Sequence, residues 1–328
     1  MLINYFLIAL SGLFFSTFLM FILERIALKK NLLVFKGIPH IGGIASVSSF
    51  VIITLVSFLS FGKLPPAVIG VVIASLVMLI FGVIDDWKEL SVPNKFFVQI
   101  ICVSLVVMFG IKTQIVYIGT IFNIILTFIW ILGITNAMNH LDVMDGLAGG
   151  TAVIVSLSFF LISLLNSDQA STILSLACLG SALGFWLHNL PPARAYLGNA
   201  GSHTLGFILA LIAIMISYAP LERKVALFSP ILILGFPIFD SAFLILMRVV
   251  KGRSIFKKSN DHLALRFLKL HRSKKKSLLV MLSLALSFSL CGVLVSRISN
   301  NIGILVILMA ILLSIFITKK MSRVMVDE

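Results

Sequence analysis

An all-α, polytopic transmembrane helical bundle of about eleven spans is the fold this sequence predicts, and three observations predict it. Hydrophobic residues make up 60% of the 328 and charged residues only 12%, more apolar surface than a water-soluble domain can hide. Apolar runs of roughly 17–25 residues recur along the chain, each about long enough to cross a hydrocarbon core as a helix. The alternation of barrel strands is missing, whereas helices satisfy their own backbone polar groups where lipid offers no partner.

The expected spans are residues 2–23, 43–61, 67–84, 97–111, 119–135, 148–165, 171–188, 204–219, 226–247, 278–296 and 301–318. The first has no basic stretch before it and reads as an uncleaved helix. With the N-terminus outside, the cytoplasmic segments carry 21 of the 26 Lys and Arg, eleven of them in 248–276. Only Lys63, Lys112, Arg223, Lys224 and Arg297 fall outside. That asymmetry follows the positive-inside rule and puts the C-terminus in the cytoplasm. The net charge of +14 sits beside the spans, where it suits anionic membrane lipids and not nucleic acid. Cys102, Cys178 and Cys291 lie within spans and read as small buried apolar groups. One domain, 1–328, is expected, with catalytic loops near 24–42, 85–96, 136–150, 188–206 and 248–276.

Ten of the twelve Asp and Glu lie on the expected cytoplasmic side or at its boundary. Asp85 and Asp86 leave the third span together. Adjacent carboxylates repel unless a cation joins them, so the pair suits Mg²⁺ plus phosphate, or one ligand and one base. The bland alternative is a polar helix end. In 136–150, Asn136, Asn139, Asp142 and Asp145 recur at three-residue steps, which on a helical turn places them together. Their hard oxygen donors suit Mg²⁺, and an N-cap plus a glycine turn would explain only part of the pattern. Glycines 146, 149 and 150 precede a helix start able to face an anion. The small-residue turn at 198–202 can offer a nest of N–H groups to phosphate. In 248–276, His262, Arg266, Lys269 and Ser273 share one stripe of a basic amphipathic helix. That helix serves either as a lipid-binding topology signal or as a pyrophosphate clamp. Asp240, at the inner half of the ninth span, is expected to face a polar interior. His140 and Trp186 read as packing.

The loops resemble those of the polyprenyl-phosphate N-acetylhexosamine-1-phosphate transferases, which include phospho-N-acetylmuramoyl-pentapeptide transferase and undecaprenyl-phosphate N-acetylglucosamine-1-phosphate transferase. The likeness runs from about residue 25 to 320. KGIPHIGGIA (36–45) looks like that family's glycine-rich first cytoplasmic loop. DDWKELSVPNK (85–95) fits its DDxxxLxxxxK pattern, NAMNHLDVMDGLAGG (136–150) looks like its NxxNxxDGxDGLA block, and PIFD (237–240) agrees.

The resemblance implies a membrane phosphoglycosyltransferase of the plasma (inner) membrane with its active site in the cytoplasm. Polyprenyl (undecaprenyl) phosphate would attack a UDP-N-acetylhexosamine, giving polyprenyl-diphospho-sugar and UMP and initiating cell-envelope glycan synthesis such as O-antigen or cell-wall polymer. Mg²⁺ is the implied cofactor, with Mn²⁺ as an alternative, and a homodimer is allowed. By motif position, Asp85, Asp86 and Asp142 are the catalytic carboxylates and Asn139 and Asn199 the metal-site residues. Asp145, Lys95, Asn136, His262 and Arg266 are the substrate-binding residues. Phosphoryl transfer is mostly positioning and charge neutralisation, which these residue types supply.

Three positions depart from the family pattern. Asn199, in GNAGS, stands where the family has the Asp of GDxGS; an amide oxygen can coordinate Mg²⁺ but brings no charge. DHLALRF (261–267) replaces the HxHH block, leaving His262 and Arg266 as stand-ins. His40 stands where many members have Arg. Asn199 therefore keeps open a non-catalytic relative that binds nucleotide sugar or lipid phosphate. A secondary transporter would show an internal repeat and mid-membrane acids, and the sequence shows neither.

Overall fold

The computed structural model describes residues 2–218, 222–255 and 259–326. Lys257 and Lys258, two of the basic residues expected in the loop 248–276, lie outside the described residues. Among the described residues, the regular structure is helical apart from a hairpin of two-residue strands, β1 (Val34–Phe35) and β2 (Ile38–Pro39). In order follow α1 (Leu2–Lys30), α2 (Gly42–Ser60), α3 (Pro66–Trp87), α4 (Val92–Met108), α5 (Gly119–Leu141), α6 (Leu147–Leu165) and α7 (Gln169–Asn189). Then come α8 (Gly198–Met215), a 3-10 turn (Lys224–Phe228), α9 (Ser229–Ile233), α10 (Gly235–Val250), α11 (Leu263–His271), α12 (Lys274–Val295) and α13 (Asn300–Met321).

Among the described residues, nine helices are long and apolar enough to cross a membrane, and the protein is a multi-pass membrane protein. The turn and α9, taken with α10, form a tenth candidate bent by 68°. The 17-residue α4 is a shorter apolar helix. Every expected span falls on one of these elements.

Hairpin turns between helices close the bundle, and local chemistry sets their ends. Pro66 and Pro93 sit in first helical turns, where a missing N–H costs nothing. Asp168 caps α7 by accepting the Ser171 N–H at 3.1 Å. The helix α8 is the axis of the bundle, 83% buried over its apolar window, against 22% for α1 and α13. It is enclosed by α2, α3, α5, α6 and α7. The outer helices keep apolar faces such as Phe14, Phe18 and Leu312 exposed, as lipid contact requires. With little hydrophobic drive between helices in lipid, small hydroxyl residues join the inner ones: Ser181 donates to Ser49 Oγ (2.9 Å), which donates to the Gly12 carbonyl (3.0 Å).

Two expectations change. The ninth span, read as continuous over 226–247, breaks at Leu234. Pro237 has no N–H for the Ile233 carbonyl, and Ser289 Oγ of α12 takes that carbonyl instead at 3.0 Å. The second change is that 85–96 and 136–150 are helix ends more than loops. Asp85 and Asp86 lie in the last turn of α3, Lys95 in the first turn of α4, and Asn136 and Asn139 in the last turns of α5.

Candidate functional site

The ends of α3 and α5 and the starts of α4, α6 and α8 meet at one end of the bundle, and the polar motifs converge there. Asp86 accepts the backbone N–H groups of Asn199 (2.7 Å) and Ala200 (3.0 Å), closing the N-terminus of α8 where the helix dipole favours an anion. Asp85, on the next residue, turns the other way. Its fully buried carboxylate accepts from Lys95 Nζ at 2.6 Å and from the Leu90 N–H at 2.8 Å. The adjacent acids are thus kept apart, one on a lysine and one on a helix start.

Such close approach needs glycine. A Cβ on Gly43 would lie 2.2 Å from the Gly201 nitrogen, and one on Gly82 would lie 2.3 Å from the Ala200 Cα. The first connection is held to the same turn. Gly42 and Gly43 donate backbone bonds to the Tyr196 and Leu197 carbonyls, and Tyr196 donates to that of Pro39. His40 packs edge-on against Phe35 and Tyr196, and burial pushes its imidazole below the usual range.

Asn139 joins α5 to α8. Its Nδ2 donates to Asn199 Oδ1 (3.0 Å) and to Ser202 Oγ (2.9 Å), which leaves its own amide oxygen unengaged. One turn earlier, Asn136 donates to Gln99 Oε1 at 2.8 Å, and the Gln99 amide nitrogen stands 3.5 Å from His203 Nδ1. Sequence reasoning passed over Gln99 and His203. Their signal was spacing: each lies one helical turn after a selected residue, Lys95 or Asn199.

Asp142 follows α5 and is partly buried. Its carboxylate takes no hydrogen bond among the described residues. Burial, then the charges of Asp86 and Asp145, push it up to about 7. Asp145 pairs with Lys274 Nζ at 3.0 Å. The Gly146 turn that starts α6 is fixed from both sides, by Asn189 Oδ1 on its N–H and Trp186 Nε1 on its carbonyl, each at 2.8 Å. Trp186 is therefore a polar strut as well as packing.

The residues expected from the loop 248–276 separate. His262 is buried beside α5 at His140, its Nδ1 takes no hydrogen bond among the described residues, and burial pushes it down to about 4. His140 itself meets Ser241 Oγ at 3.1 Å. Asp240 is buried near the start of α11 with both oxygens outside hydrogen-bonding geometry. Arg266 is 2% exposed, and both of its terminal nitrogens are engaged. It donates to the carbonyls of Met321 (2.9 Å), Ser322 (3.3 Å) and Val324 (2.6 Å) and to Asp261 (3.2 Å). The stripe expected to present Arg266 to a ligand instead turns it into the protein. Three carbonyls freed at the end of α13 and a buried carboxylate bind a guanidinium more strongly than water does.

Among the described residues, no three His, Cys, Asp or Glu gather as a metal cluster by themselves. A mixed set of hard oxygens suits Mg²⁺: the free amide oxygen of Asn139, the Asn199 oxygen, and the carboxylates of Asp86 and Asp142. Mg²⁺ needs few protein ligands, because it keeps waters and takes substrate phosphate oxygens.

Residues 68–217 match the family model described as glycosyl transferase family 4. A probable undecaprenyl-phosphate N-acetylglucosaminyl 1-phosphate transferase of Bacillus subtilis is 28% identical over 288 residues, covering 84% of this chain and 78% of that protein. A decaprenyl-phosphate N-acetylglucosaminephosphotransferase of Mycobacterium tuberculosis is 31% identical over 241 residues, covering 65% of this chain and 59% of the relative. A phospho-N-acetylmuramoyl-pentapeptide-transferase of Rippkaea orientalis is 36% identical over 204 residues, covering 55% of this chain and 53% of the relative. The chain thus spans only between half and three fifths of the length of the last two. The likeness read from the loop motifs is borne out, and the matched region contains the ends of α3, α5 and α8 that build the site.

Proposed function

Residues 68–217 are glycosyl transferase family 4 sequence, and on that premise we propose that this protein moves an N-acetylhexosamine-1-phosphate from a UDP-sugar to polyprenyl phosphate. The observation that carries the reading is the meeting of Asp86, Asn139, Asp142 and Asn199 at one membrane face, with two carboxylates that form no ion pair among the described residues. The face is cytoplasmic on the basis of its Lys and Arg, and the membrane is the plasma membrane.

In this scheme an oxygen of the lipid phosphate attacks the sugar-linked phosphorus. The bond from that phosphorus to the bridging oxygen breaks, and UMP leaves with the electron pair. Asp142, poised near 7, takes the proton of the lipid phosphate, which suits a base at neutral pH. Asp86 holds the start of α8 in place, so that the α8 turn faces the phosphates. Asn139, Asn199 and Asp86 would hold Mg²⁺, which when bound would neutralise charge on the diphosphate. Asp85 acts through Lys95, fixing the ammonium near the phosphates. Asp145 and Lys274 border the nucleotide side, Asn136 orders the seam through Gln99, and His262 packs behind α5 at His140.

Purified protein with Mg²⁺, undecaprenyl phosphate and a panel of UDP-N-acetylhexosamines tests the reading. UMP release with a matching lipid product supports it, and no UMP from any donor refutes it. Asn199 favours one second reading, a non-catalytic relative. Thermal stabilisation by a UDP-sugar with no turnover would select that one.

A further inference from the structure

A second cavity lies at the opposite end of the bundle. The 18 residues of α8 run from the carboxylate site at Gly198 to a cavity at Met215, about 27 Å away along the helix. The cavity holds about 560 Å³ and lies between α5, the last turn of α8, the 110–117 connection and the 3-10 turn. Three of the five Lys and Arg that the topology assigns to this face, Lys112, Arg223 and Lys224, line it, and among the described residues no carboxylate does.

Its walls are fixed without a ligand. Buried Asn123 pins the connection that carries Lys112 and Tyr117. It accepts from the Ile115 N–H (2.8 Å) and Thr113 Oγ1 (3.0 Å) and donates to the Ile115 and Gly119 carbonyls (3.0 and 2.7 Å). Trp130 and Tyr218 bond α8 carbonyls at 3.2 and 2.9 Å, so their rings serve as apolar wall. Lys224 lies over the Tyr117 ring at 5.6 Å, and Arg223 donates to the Ser296 carbonyl at 2.6 Å. The remaining lining is mostly aliphatic, with Thr113, Gln114 and Ser217 as its polar members. Cations beside a largely apolar cleft match an amphiphile with one anionic head.

We propose that this cavity binds the phosphate head and upper chains of an anionic phospholipid in the leaflet opposite the carboxylate site. Charge complementarity and preorganisation carry the assignment. It is independent of the transferase reading, because it needs neither metal nor turnover.

The test uses the full chain in nanodiscs of phosphatidylcholine alone or with phosphatidylglycerol, followed by native mass spectrometry and thermal unfolding. One phosphatidylglycerol per chain should be retained and should raise Tm. The pair Lys112→Gln/Lys224→Gln should weaken retention by about fivefold per cation removed. Lys319→Gln/Lys320→Gln, at the other face, should not. Ala67→Phe, which narrows the cavity and leaves its charges, should also weaken retention. Equal retention by wild type and the Lys112/Lys224 pair would overturn the proposal. So would preferential capture of undecaprenyl phosphate over phosphatidylglycerol in a competition arm.

Discussion

Asp86 and Asn199, 113 positions apart in the chain, are joined at the start of α8, where the carboxylate accepts the asparagine N–H at 2.7 Å. One acid therefore has two duties, ordering a helix start and presenting negative charge beside Asn139 and Asp142. Asp86→Asn keeps an acceptor for one of the two N–H groups and removes the charge. UMP release should fall at least a hundredfold, while the lost cap costs about 1 kcal/mol and only a few degrees of Tm. Unfolding temperature and turnover, measured on one preparation, check the separation. A parallel collapse of both would make Asp86 structural only.

Asn199→Asp is expected to tighten the metal requirement without disturbing the turn. The new carboxylate can still accept from Asn139 Nδ2, the bond now 3.0 Å long. It also adds a formal charge where hard cations prefer one. The Mg²⁺ concentration for half-maximal UMP release should drop severalfold. Loss of activity with an unchanged Tm would show that the amide is required as it stands.

Asp85 and Lys95 allow a stability test that the other acids do not. The carboxylate is fully buried, and breaking such a pair from one side strands a charge. Lys95→Met should cost about 3 kcal/mol. Adding Asp85→Asn should restore much of that stability and none of the activity. The readout is chemical or thermal unfolding of the two variants beside UMP release. Equal stability for the single and double variants would mean that the pair is not coupled.

How much of this was legible in sequence depended on whether a residue had a second plausible role. Asp85, Asp86 and Asp142 stood out because carboxylates are scarce in a chain built for lipid, and the structure gathers them. The register of α4 was less legible. Hydropathy placed its start near 97, but Pro93 in the first turn begins the helix at Val92 and turns Lys95 inward toward Asp85. The break at Leu234 needed knowledge of Ser289, which is distant in sequence. Arg266 misled for a related reason. Its partners are carbonyls of the C-terminal segment, and backbone acceptors leave no mark in a sequence.

Asp142 should make the protein less stable as pH rises. Its folded carboxyl titrates near 7 and the ordinary value is 3.8, so below about pH 4 both folded and unfolded chains hold the proton and there is no penalty. Between about 4 and 7 the unfolded chain releases its proton more readily than the folded one. Stability therefore declines through that window and reaches its floor above 7. Asp142→Asn removes the titration. In EDTA, which excludes divalent cations, the variant's Tm advantage over wild type should be small at pH 5 and grow to its largest at pH 8. The same substitution should abolish UMP release with Mg²⁺ present, because the acceptor of the lipid phosphate proton is gone. A wild type whose Tm difference from the variant stays flat between pH 5 and 8 would show that burial and the neighbouring acids do not hold the Asp142 proton as inferred.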